Sequence, residues 1–219
     1  MSIIDTAEAS VAPQAGAFIH DGGWLRAALG MALLAMAGLG LLYPLAGVGL
    51  GQALFPQAAN GSLLARDGVI VGSALVAQPF HGAEYFHPRP SAAGYDPLAA
   101  AGSNQARSNP ALQQRLDVAR RAAAAREQIP PADVPADLIT QSGSGLDPHI
   151  SPQAAAVQVY RVARARGVTA GHVQELLARQ LEPRQFGLLG QPRVNVLALN
   201  LALDRLLPVQ DADTVSGGK

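Results

Sequence analysis

The stretch Ala27–Leu42 reads AALGMALLAMAGLGLL, and Tyr43–Gly51 continues it as YPLAGVGLG. From Ala27 to Ala65 the chain carries no Asp, Glu, Lys, Arg or His, and Arg26 and Arg66 bracket the uncharged run. Roughly 20 apolar residues cross the hydrocarbon core of a bilayer, so Leu25 to about Gly49 suffices for one transmembrane helix. A buried core helix of a soluble protein rarely runs this far without one polar residue. A cleavable signal peptide begins with a basic segment, yet Asp5, Glu8 and Asp21 precede the run and no Arg or Lys does before Arg26. Ala35-Met36-Ala37 has the small-residue pattern of a cleavage site, and cleavage remains the alternative reading.

The flanks of this run set the remaining expectations about the anchor. Arg26 lies at its N-terminal end and no cation follows until Arg66. The positive-inside rule then places the N-terminus in the cytoplasm and the rest of the chain outside. Pro44, which lacks a backbone donor, is expected to kink or end the helix beside Tyr43 at the far interface. Ala28, Ala32 and Ala35 share a face that allows close approach of another helix, although alanine is common throughout the chain. A single helix without an ionisable group cannot build an ion pathway, so any part in transport is accessory.

The expected organisation is an N-terminal tail (1–24), a transmembrane helix (25–50), an extramembrane domain (51–207) and a disordered C-terminal tail (208–219). The domain is long enough for a core of its own. Formal net charge is zero over 219 residues, which argues against nucleic-acid binding. The chain has no Cys, which excludes disulfides, thiolate metal sites and cysteine nucleophiles.

Within the domain, Val69-Ile70-Val71-Gly72 reads as a short strand. The prolines around Tyr85-Phe86-His87-Pro88-Arg89-Pro90-Ser91 preclude helix, and 82–109 is expected to be mostly loop. Asn109-Pro110 starts a helix that runs to about Gln128. Ser151-Pro152 starts another that reaches Arg166 and closes at Gly167. Thr169 caps a third, with Val173, Leu176, Leu177 and Leu181 on one face and Pro183 as its stop. Val194–Leu197 reads as a strand and Leu199–Leu207 as a helix, with an ambiguous boundary. The fold class is α+β: one N-terminal transmembrane helix, then a mainly helical domain with a small sheet.

Chemistry concentrates in Gln141-Ser142-Gly143-Ser144-Gly145-Leu146-Asp147-Pro148-His149. Alternating Ser and Gly could cradle a phosphate on backbone N–H groups, though the Walker lysine is missing. Ser142 or Ser144 with Asp147 and His149 could suggest a membrane-anchored serine hydrolase, but three members in one short loop rarely reach triad geometry. A tight Gly-rich turn accounts for the same residues without chemistry. The histidines His81, His87, His149 and His172 show no metal-ligand spacing. Arg161, Arg164 and Arg166 complement the dipole at a helix end. The aromatic stretch with Tyr85, Phe86, His87 and Arg89 is the candidate contact surface for another subunit, because Tyr, Phe and Arg favour interfaces. An intradomain packing role for it is the competing reading.

Taken in order, a series of segments resembles the C chain of the Kdp potassium-transporting ATPases, the KdpC family. It runs through Tyr43-Pro44, Ala59-Asn60-Gly61-Ser62-Leu63, Gly72-Ser73-Ala74-Leu75, Tyr85–Ser91, Gly102-Ser103-Asn104, Ser142–Ala155, Arg161–Arg166 and Leu199–Asp204. The longer N-terminal tail and Gln141 after Thr140, where alanine is expected, are departures. The resemblance implies an accessory subunit of a bacterial ATP-driven potassium importer, in the cell membrane (the inner membrane if Gram-negative), with no catalytic residues of its own. It implies three partners: a channel-like potassium-translocating subunit, a P-type ATPase subunit and a small single-helix subunit. The family is described both as a catalytic chaperone that raises the ATP affinity of the ATPase subunit and as an extracytoplasmic cap. No tightly bound cofactor is expected, and ATP enters only through the complex. Ser142, Gly143, Ser144, Gly145 and Asp147 are the candidate nucleotide or partner loop. The remaining alternative is a solitary extracytoplasmic binding module.

Overall fold

The structure is a computed structural model that describes residues 21–209. Of the tails expected over 1–24 and 208–219, residues 1–20 and 210–219 lie outside the described residues, while Asp21–Trp24 already belong to the first helix. The chain divides into two compact units, Met1–Pro56 and Gln57–Lys219.

Among its described residues, the first unit is one long helix. It comprises α1 (Asp21–Ala35), a π-helical segment (Met36–Leu42) and α2 (Tyr43–Leu54). Gly23–Leu54 is 32 residues long and long and apolar enough to cross a membrane, with none of its most apolar window buried. At 1.5 Å per residue it reaches about 48 Å, more than the hydrocarbon thickness, which a tilt accommodates. The helix is therefore longer at both ends than Leu25–Gly49; it does not end at Pro44, and its departure from regular α-helix is the π segment just before that residue. The reason lies in the turn before it. The Tyr43 N–H donates to the Gly38 carbonyl, five residues back. Pro44 has no N–H for the carbonyl four residues back, and its ring would press on it; the wider π turn relieves both.

The short α3 (Pro56–Ala59) begins on the last residue of the first unit, and the second unit goes on with an antiparallel hairpin of β1 (Leu63–Arg66) and β2 (Val69–Ser73). Asp67 and Gly68 turn it, both at positive φ (51° and 80°), the conformation of a type I′ turn that matches strand twist. A long connection follows, broken by one short 3₁₀ turn at Pro97–Ala99. Helix α4 (Pro110–Glu127) begins where Asn109 Oδ1 accepts from the Ala111 N–H, and Gln128 ends it in the left-handed region.

The remaining helices are α5 (Pro152–Ala156), α6 (Val159–Arg166), α7 (Ala170–Arg179) and α8 (Val196–Leu206). Ser151 and Thr169 accept at the N-termini of α5 and α7, and Gly167 closes α6 at φ +67°. The single helix expected from Pro152 to Arg166 is divided by a tighter turn at Val157–Gln158, where Gln158 N–H donates three residues back to Ala155. Helix α7 stops at Arg179, before Leu181, because Leu181–Glu182 extends as β4. The strands β3 (His149–Ile150), β5 (Arg193–Asn195) and β4 form an antiparallel sheet in the order β3-β5-β4. The ambiguous boundary falls after Asn195, whose side chain accepts from the Ala198 N–H and starts α8.

Phe86, Leu138, Ile150, Val162, Val173 and Leu199 belong to one core cluster. Val196, Leu199 and Leu203 are its contributions from α8, and buried Asn200 completes the i, i+3, i+4, i+7 spacing of a half-buried helix.

Candidate functional site

The two candidate segments, Tyr85–Ser91 and Ser142–His149, meet. Arg89 Nη1 donates to Asp147 Oδ2 at 3.0 Å, and Nη2 donates to Thr140 Oγ1 and the Gln141 carbonyl, each at 3.3 Å. Ser91 Oγ donates to the Gly145 carbonyl at 2.6 Å. Two glycines let the backbones close in. A Cβ on Gly102 would lie 2.8 Å from the Gly143 carbonyl oxygen, and one on Gly145, at φ +71°, 2.9 Å from that of Ala101. Only glycine fits both the space and the dihedral at 145.

The Ser-Gly loop spends its hydroxyls on itself. Buried Ser142 Oγ accepts from the Gly145 N–H at 2.9 Å, and exposed Ser144 Oγ from the Leu146 N–H at 3.1 Å. Two of the N–H groups that a phosphate would need are thus occupied, and the Asp147 carboxylate lies beside them. Burial alone would raise the Asp147 pKa, but hydrogen bonds from His149 and Arg89 outweigh it and hold the carboxyl below its ordinary range. His149 Nδ1 is 3.5 Å from Asp147 Oδ1, and no hydrogen bond joins His149 to Ser142 or Ser144 among the described residues. A nucleophile needs a base within hydrogen-bond reach. The loop is a braced turn.

The aromatic stretch differs from the exposed contact loop expected of it. Phe86 is fully buried, Pro88 is buried, and Tyr85, His87 and Arg89 are half-buried. The chain turns at Ala83–Glu84, where the Tyr85 N–H donates to the Gly82 carbonyl, and then enters the core at Phe86; side chains occupy the backbone groups from Ala83 to His87. Asn200 pairs with Phe86, accepting from its N–H and donating to its carbonyl, both at 2.9 Å. Gln158 does the same for His87, at 2.8 Å and 3.2 Å. Arg161 Nη1 donates to the carbonyls of Ala83 and Tyr85, and Arg166 Nε to that of Glu84. Buried backbone groups must find partners, and these side chains do the work of a neighbouring strand.

Charge follows the same segment. Arg161 Nε donates to Glu127 Oε2 at 2.9 Å, with the Glu127 side chain at 0% exposure and that of Arg161 at 6%. Arg166, fully buried, donates to Asp204 Oδ1 at 2.9 Å and lies over the Tyr85 ring, 5.1 Å from its centroid. Tyr85 OH donates to Asp204 Oδ2 at 3.2 Å, and burial together with that carboxylate pushes the phenol pKa up. Burial, with Arg126 and Arg161 nearby, lowers His87 to about 4 against a hydrogen bond to the Gly82 carbonyl. His87 is therefore neutral at pH 7, and Nε2 carries the proton, since a carbonyl only accepts.

Sequence reasoning missed Gln158, Asn200 and Asp204, and it gave Arg161 and Arg166 to the helix dipole. Only Arg164 of that trio is exposed, 3.3 Å from Gln128 Oε1. The available signal was Gln158, Arg161 and Arg166 set among the apolar Val159, Val162 and Ala163 of a short amphipathic stretch.

The family model described as KdpC: K+-transporting ATPase, c chain, matches residues 25–205. A relative from Xanthomonas campestris pv. campestris (strain B100), named potassium-transporting ATPase KdpC subunit, is 59% identical over 187 residues, 85% of this chain and 90% of its own length. Relatives of the same name in Xanthomonas axonopodis pv. citri (strain 306) and Geobacter sulfurreducens are 58% identical over 188 residues and 54% over 133. The latter match covers 59% of this chain and 69% of the relative. With a match that takes in both the apolar helix and nearly all of the folded domain, the chain belongs to the KdpC family, the c chain of the K+-transporting ATPases.

Proposed function

We propose that the chain is a non-catalytic accessory subunit of an ATP-driven potassium importer, tethered by its single helix with the folded domain outside the cell membrane. The observation that carries this is the family match from residue 25 to 205, which spans anchor and domain together. Three further features support it. The helix has no Asp, Glu, Lys, Arg or His between Arg26 and Arg66, so ion passage belongs to a partner. Arg26 favours the N-terminus inside. The Ser-Gly loop is closed by its own hydroxyls, which favours a braced loop over a phosphate cradle.

In this reading the partners are a channel-like subunit, a P-type ATPase subunit and a small single-helix subunit. The domain acts as a cap and assembly element at the channel mouth. A domain outside the membrane cannot touch nucleotide bound inside. A chaperone-like effect on ATP affinity is then a coupling energy carried through the membrane subunits.

The test is a detergent pull-down of the tagged chain expressed with its neighbours. Recovery of a P-type ATPase and a polytopic subunit supports the reading, and recovery of the chain alone overturns it. Protease added to spheroplasts removes the domain if it lies outside; a protected domain sinks the cap. Ser144→Ala leaves potassium-dependent ATPase activity intact, whereas a hydrolase using Ser144 would lose its own activity.

A further inference from the structure

The ring of His149 stands between two carboxylates that come from different parts of the chain. Nδ1 lies 3.5 Å from Asp147 Oδ1, in the Ser-Gly loop, and Nε2 lies 3.9 Å from Glu182 Oε2, on β4. Each carboxylate also holds an arginine: Arg89 Nη1 donates to Asp147 Oδ2 at 3.0 Å, and Arg193 Nε to Glu182 Oε2 at 2.8 Å. The result is a row, Arg89–Asp147–His149–Glu182–Arg193, whose charges alternate only when the imidazole is protonated. The sheet sets it up. His149 pairs with Asn195 and Glu182 with Arg193, so both side chains leave the face opposite buried Ile150 and Val194. Nearby, Asp137 Oδ2 accepts from the Ser151 N–H at 2.6 Å. Among the described residues, the only acids within ion-pair distance of the ring are Asp147 and Glu182.

We propose that His149 is a proton-operated clasp, whose imidazolium fastens the Ser-Gly loop to β4 and whose neutral ring does not. Both approaches are long for a hydrogen bond, so what joins the ring to the two carboxylates is mainly charge. A neutral imidazole brings none. It has one N–H, which serves one carboxylate at most and leaves a lone pair facing the other. The imidazolium has an N–H for each. An imidazole changes charge between about pH 5 and 8, where carboxylates stay ionised and guanidinium groups stay charged. Arg89 and Arg193 repel the imidazolium from farther off, and each is bound to the carboxylate that lies between. The clasp therefore stabilises the domain at the acid end of that range and is released as the pH rises. Buried His87, held down to about 4, acts in the opposite direction.

The test is thermal melting of the full chain in detergent at about pH 8 and about pH 5.5, the two ends of the imidazole range. It compares the native sequence, His149→Gln, Glu182→Gln and the double variant. From the higher pH to the lower, the native chain is expected to gain about 2 °C over either single variant, as a partly exposed ion pair allows. The double variant loses no more of that gain than one single variant does. The other histidines are present in all of these proteins and cancel from the differences. A gap between native and variant that is equal at both pH values overturns the proposal. So does a gain that survives Glu182→Gln, because the ring would then answer to Asp147 alone and fasten nothing to β4. If His149→Gln does not fold, the Glu182→Gln comparison decides.

Discussion

Two proline-bounded loops of this domain carry aromatic side chains, and the fold treats them in opposite ways. Tyr85–Ser91 passes through the interior with Phe86 at 0% exposure, while Phe186–Leu189 stands outside with Phe186 at 92%. Apolar content does not separate them, because the second is the more apolar and is the one in water. What separates them is the supply of hydrogen-bonding partners. Asn200, Gln158, Arg161 and Arg166 reach the backbone from Ala83 to His87, whereas the tip closes on its own backbone at Gln185 and Leu189. A loop without regular secondary structure can be buried only where side chains replace the missing ladder.

The comparison breaks most severely at Arg161. Arg161→Ala takes from buried Glu127 one of its two arginine partners, Arg126 remaining at 2.6 Å, and frees the part-buried carbonyls of Ala83 and Tyr85; it is expected to cost about 2–4 kcal/mol. Chemical unfolding of the full chain in detergent measures this, and a loss below about 1 kcal/mol would refute the load assigned to that side chain. Asn200→Ala strands both the N–H and the carbonyl of Phe86. At about 1–3 kcal/mol for each buried orphan, a loss of about 2–4 kcal/mol is expected in the same assay.

Acid sharpens the contrast more gently. His87 has a folded pKa of about 4 against an ordinary 6.5, so on acidification the unfolded chain takes up the proton first. Its contribution is complete above about 6.5 and is lost as the pH falls toward about 4. The loss amounts to about 1–2 kcal/mol once partial exposure is discounted. His87→Gln flattens the stability profile across that window, and an unchanged slope would place the titration elsewhere. The smallest effect falls on the other loop: Phe186→Asn changes the stability of the isolated chain by less than about 0.5 kcal/mol. A larger loss in the same unfolding assay would mean that the tip packs at home.

Several elements were legible because their signals are local. The uncharged run, the Asn109-Pro110 and Ser151-Pro152 starts, and Gly167 each act on their own turn of chain, and the structure places them as read. The β1–β2 hairpin was legible too, since Asp67-Gly68 is a strong turn signal, yet only its second strand was read. The end of α7 escaped because Leu181 continues the helical apolar spacing while pairing with Val194 as a strand. The candidate site was half legible. Both segments were found, but their union through Arg89–Asp147 and Ser91–Gly145 joins residues far apart in the chain.

Sequence alone determined that the chain carries one helix fit for a membrane, that an α+β domain follows, and that the ordered motifs belong to one family. The first two follow from composition, periodicity and capping, which need no distant partner, and the third from the resemblance carried by the motifs in their order. Only the tertiary structure decided which aromatic loop is buried, and that Arg161 and Arg166 serve backbone carbonyls before they serve a helix dipole. Burial of a polar backbone depends on donors and acceptors brought from α6 and α8, and no stretch of sequence contains its own neighbours.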